Sequence, residues 1–91
     1  MDRTLQSIDD TLQMGRKYVA VQERRVERQR TIIAELEKNG HSEAAENATT
    51  VLAAMEDLLS RMRQDVAEAE QLWAERVTQN KSYQLGGGGE S

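Results

Sequence analysis

Arg24, Arg25 and Arg28 are the residues of this chain whose type and spacing come closest to doing chemistry. On a helix Arg24 and Arg28 share a face, and Arg25 and Arg28 are also close. Guanidinium groups grouped in this way can hold phosphate, a nucleic-acid backbone or an acidic protein surface. Glu23 and Glu27 interleave with them, which suits intrahelical ion pairs such as Glu23 with Arg30 or Glu27 with Arg24. No aromatic residue accompanies the cluster to stack on a base. It reads first as a solvated helix face, then as a site for an acidic partner protein, and last as a nucleic-acid site.

The other polar candidates are weaker. His41 is the only histidine. Without a second histidine or any cysteine at metal-ligand spacing, it reads as a turn residue. Glu43 and Glu46 lie close by, but carboxylate di-metal bundles need Glu-x-x-His on inward faces, and that pattern is absent. Asp9, Asp10, Glu56, Asp57, Glu68 and Glu70 read as solvent-facing charges. No nucleophile–base pair, phosphate loop or dinucleotide fingerprint is present. No enzymatic activity, metal or cofactor is expected. Gln22 and Gln29 stand seven apart on an otherwise apolar stripe. They are read as a register device, with a polar track lining a ligand cavity as the alternative.

Two heptad stripes must position all of these residues. The first steps through Leu5, Ile8, Leu12, Gly15, Val19, Gln22, Val26, Gln29, Ile33 and Leu36. The second steps through Ala45, Ala48, Leu52, Met55, Leu59, Met62, Val66, Ala69 and Trp73. Steps of three and four place each stripe along one face of a long helix. With Leu5 at heptad position a, Gly15, Gln22 and Gln29 fall at d, and Tyr18 and Ile32 fall at g. The first helix is expected over about residues 3–38, the turn over 39–42 and the second helix over about 43–82. Gly40 can close the first helix, and Ser42 is expected to cap the second. Four consecutive glycines, 86–89, disfavour helix, so 86–91 is expected to be a disordered tail.

So short a turn makes the helices antiparallel neighbours, with facing residue numbers summing to about 81. Gly15 then meets Val66, Gln22 meets Leu59 and Ile8 meets Trp73. Gly15 is expected to leave space for a large side chain from a partner helix.

Composition sets the outer bounds. The chain has 91 residues, 31% charged and 37% hydrophobic, with no proline and no cysteine. Uninterrupted helix is permitted, and disulfides are excluded. No apolar run approaches the roughly 20 residues of a membrane span, and the N-terminus carries no signal-peptide core. A cytoplasmic protein off the membrane is expected. The net charge of −4 speaks against non-specific nucleic-acid binding by the whole chain. Residues 16–30 are nevertheless basic, with six basic residues against two acidic. Residues 41–85 are acidic, with eight acidic against four basic.

The stretch Tyr18-Val-Ala-Val-Gln22, Arg24-Arg25-Val26, Arg28-Gln29-Arg30 and Ile33-Ala34-Glu35-Leu36, followed by Gly40-His41, resembles small helical-hairpin proteins of alphaproteobacteria. The resemblance covers roughly residues 19–62. It implies a hairpin with a Gly-His turn and carries no established activity.

Ala44, Val51, Leu58 and Leu72 form a second apolar row beside the second stripe. A lone hairpin leaves this row wet, together with part of Trp73. The sequence therefore predicts an all-α, coiled-coil-like antiparallel hairpin that pairs with a second copy into a four-helix bundle. Its predicted role is self-association, with docking of a further helical protein as a second expectation. Val51, Leu58, Leu72 and Trp73 are the candidate interface residues, and Arg24, Arg25 and Arg28 the candidate basic face.

Overall fold

A computed structural model describes residues 3–90, with side chains described for residues 3–79. It contains two helices, α1 (Arg3–Lys38) and α2 (Ser42–Glu90), packed along each other as an antiparallel hairpin. The molecule measures 76 × 15 × 15 Å. Its length is that of α2, whose 49 residues rise about 74 Å at 1.5 Å each. α1, with 36 residues, is about 54 Å long, so α2 runs on beyond it.

The turn is built from backbone hydrogen bonds that a left-handed residue makes available. Gly40 has φ +76°, a conformation that costs any residue with a Cβ. The Gly40 N–H donates to the Glu37 carbonyl at 3.1 Å, and the His41 N–H donates to the Leu36 carbonyl at 2.9 Å. This pair of bonds is the Schellman closure, and it satisfies carbonyls that the end of α1 leaves open. The His41 carbonyl then accepts the Ala45 N–H at 2.9 Å, the first bond of α2. The capping position is therefore His41, and Ser42 is already inside the helix rather than its cap. Glu43 occupies the first turn of α2, where the helix dipole favours an acid.

The far end of α2 differs from the sequence expectation. Its helical backbone continues to Glu90, past the end expected near residue 82 and through the four glycines. Glycine weakens a helix by about 1 kcal/mol per residue, but unlike proline it keeps the N–H that propagates it. The expected disorder of 86–91 concerns residues whose side chains lie outside the described set, and Ser91 lies outside it altogether.

The core is the seam between the stripes. Leu5, Ile8, Leu12, Val26 and Ile33 from α1 are buried against Ala45 and Leu59 from α2. Among the described residues no side chain is fully enclosed, because a two-helix seam is open on both flanks. At Gly15 the helices approach so closely that an added Cβ would lie 2.9 Å from Val66 Cγ2. Val66 thus fills the gap expected to receive a partner's side chain. The contact also fixes the register, since Gly15 and Val66 satisfy the sum of 81.

Candidate interaction surface

The seam carries two amide rungs. The Gln22 side chain is 5% exposed, and its Nε2 donates to the Met55 carbonyl at 3.1 Å. Gln29 Nε2 donates to the Ala48 carbonyl at 2.9 Å. A helical carbonyl projects toward the residue four positions on. Met55 O and Ala48 O therefore stand beside Leu59 and Leu52, the partners that the register assigns to Gln22 and Gln29. The rungs are seven residues apart on both helices, so a slip that broke one would break both. The amides are engaged inside the seam, which favours the register role over a ligand-lining one.

Labelling α2 with Ala45 at a puts the two flanks of the seam in view. Positions e lie on one flank and positions g on the other. The e flank is closed by charge. Arg30 meets Glu56 at 3.0 Å, Arg63 meets Glu23 at 3.3 Å, and Arg16 meets Glu70 at 3.8 Å. All six residues occupy e positions, and each step along the flank is one heptad. These pairs replace two that the sequence suggested. Glu23 reaches across to Arg63 rather than to Arg30, and Glu27 pairs with Arg30 at 3.4 Å rather than with Arg24. Arg30 is shared between Glu27 and Glu56. Glu56 and Glu70, expected as solvent-facing charges, instead bridge to Arg30 and Arg16. Their heptad spacing opposite Arg30 and Arg16 was the signal that they bridge the helices.

The g flank is open and apolar. Tyr18 and Ile32 on α1, with Val51, Leu58 and Leu72 on α2, occupy g positions and are 37–54% exposed. Met14, at the neighbouring c position, is 54% exposed. Trp73 sits on the seam and is half-buried. A shallow dent of about 150 Å³ lies on this flank beside Gly15, lined by Thr11, Tyr18, Met62, Asp65, Val66 and Ala69.

Charges on the two flanks behave differently. Lys17, Arg24, Arg25 and Arg28 take no ion pair among the described residues. Asp65 and Glu68 take none either. Arg61 beside them is hydrogen-bonded to Asp57, which raises its pKa above the ordinary value. The candidate basic residues and the candidate apolar residues therefore share a region: Arg25 is at g and Arg28 at c, while Arg24 faces outward at f. Among the described residues no group of histidines and carboxylates could hold a metal, and no helix is long and apolar enough to cross a membrane.

No family model, curated protein or solved structure matches the chain.

Proposed function

We propose that this chain is a non-enzymatic interaction module whose hairpins self-associate through the g flank into a four-helix bundle. The observation that carries this reading is the contrast between the flanks. One spends its charges on bridges between its own helices, and the other leaves five large apolar side chains in water. Large apolar side chains exposed along one flank are the kind of surface that a partner covers.

Leu58 stands at the centre of the open flank. Leu58→Glu is expected to abolish association while leaving each hairpin helical, as read by sedimentation and circular dichroism. Loss of helicity without prior association would count against this reading.

Nucleic-acid binding through Arg24, Arg25 and Arg28, which take no ion pair among the described residues, is the second reading. It requires affinity for a DNA or RNA duplex that falls linearly with log salt. A flat titration at low salt would remove it.

A further inference from the structure

We propose that Asn39 is a site of spontaneous covalent modification, deamidation through the Gly40 nitrogen, and that closure of the turn governs its rate. The chemistry is independent of self-association.

It needs only the chain and water. The Gly40 backbone nitrogen attacks Cγ of Asn39. The bond from Cγ to the side-chain nitrogen breaks, and that nitrogen leaves as ammonia with the proton that Gly40 gives up. The product is a succinimide. Water opens it at the main-chain carbonyl to give isoaspartate, or at the side-chain carbonyl to give aspartate.

The turn brings together what the reaction requires. Asparagine is a thermolabile residue. The Asn39 side chain is exposed, and its amide takes no hydrogen bond among the described residues. The attacking nitrogen belongs to a glycine, and the space around the missing Cβ is open to 4 Å. Asn47 is the contrast within the same chain. It is also exposed, but it lies inside α2 and precedes Ala48, whose Cβ crowds the nitrogen.

The closed turn opposes the reaction. The Asn39 N–H still donates to the Glu35 carbonyl at 3.0 Å, so the residue continues the last turn of α1. Ring closure needs Cβ and the Gly40 nitrogen eclipsed about the Asn39 Cα–C bond, and a helical backbone holds them apart. The Gly40 N–H is also engaged, by the Glu37 carbonyl at 3.1 Å. The reaction therefore proceeds from molecules in which the end of α1 has frayed. Its products then loosen the turn further. Isoaspartate adds a carbon to the main chain inside the loop closed by the His41 N–H and the Leu36 carbonyl. Either product sets a carboxylate at the C-terminal end of α1, where the dipole disfavours it.

Peptide mapping of the full chain by mass spectrometry, after ageing in warm neutral buffer with and without unfolding guanidinium chloride, follows residues 39 and 47 from amide to acid. Asn39 is expected to convert in both, about ten- to a hundredfold more slowly when folded, because fraying costs far less than global unfolding. Asn47 should lag behind it in both. An unfolded chain in which Asn39 keeps its amide as long as Asn47 overturns the site. Equal folded and unfolded rates overturn the gating, and a folded chain still intact beyond that window shows the turn too closed to react. Asn39→Gln, whose ring would be one atom larger, should stay intact, and acid formation there would overturn the route through Gly40. Aged protein should melt below fresh protein at the same concentration, and identical melting would contradict the loosening.

Discussion

At the scale of single residues, this hairpin is decided by the two kinds of position that interrupt its apolar stripe. Gly15 lets α1 and α2 approach until Val66 fills the space a Cβ would need. Alanine there gains about 1 kcal/mol of helix propensity over glycine. Val66 is β-branched, holds essentially one rotamer in a helix and cannot swing away cheaply. Gly15→Ala alone should therefore lower stability, whereas in a Val66→Ala background it should raise it by up to about 1 kcal/mol. A double-mutant cycle by urea unfolding, at fixed chain concentration, reads the sign change. Gln22 and Gln29 are the other kind. Each surrenders some burial energy to hold a carbonyl of the facing helix. Replacing both by leucine should raise the melting temperature yet loosen the register, seen as extra amide resonances from coexisting pairings. The stripe exposed both sites in the sequence, because glycine and glutamine stand out among leucine and valine. It could not tell whether the gap at Gly15 was empty, since that depends on the helix separation. The answer, that Val66 fills it, needed the packed pair.

At the scale of elements, the turn and the flanks follow different rules. The turn was legible: lysine, asparagine and glycine after a periodic run mark a helix end, and Gly40 adopts the left-handed conformation that this signal implies. An added Cβ at Gly40 meets nothing within 4 Å. Gly40→Ala should thus cost only the conformational penalty, about 1–2 kcal/mol. Gly40→Asn should cost less, since asparagine tolerates that region. Equality of the two by thermal unfolding would contradict the Schellman closure as the source of the loss. The capping position was less legible, because serine is the better capping residue by type while backbone bonding places the cap at His41. The e-flank bridges were hidden for another reason. Acids and bases three or four apart on one helix look like partners, but here the seam presents a cross-helix partner at heptad spacing. All three bridges are exposed, at about 0–1 kcal/mol each, so stability should fall only slightly in high salt.

At the scale of the whole molecule, the hairpin has one closed flank and one open flank. The antiparallel architecture and register could be read from heptad stepping because side-chain period and turn length leave almost no other arrangement. The second apolar row at Val51, Leu58 and Leu72 was also visible. Its meaning sharpened only when the structure set Tyr18 and Ile32 on the same flank and showed the opposite flank closed by charge. What meets that open flank is the central claim. Sedimentation equilibrium of the wild-type chain and of Val51→Glu/Leu58→Glu, at micromolar concentration, tests it most directly. The account predicts twice the 10.3 kDa chain mass for the wild type and a single chain mass, still helical, for the variant. A wild-type chain that sediments as a fully helical monomer would contradict it.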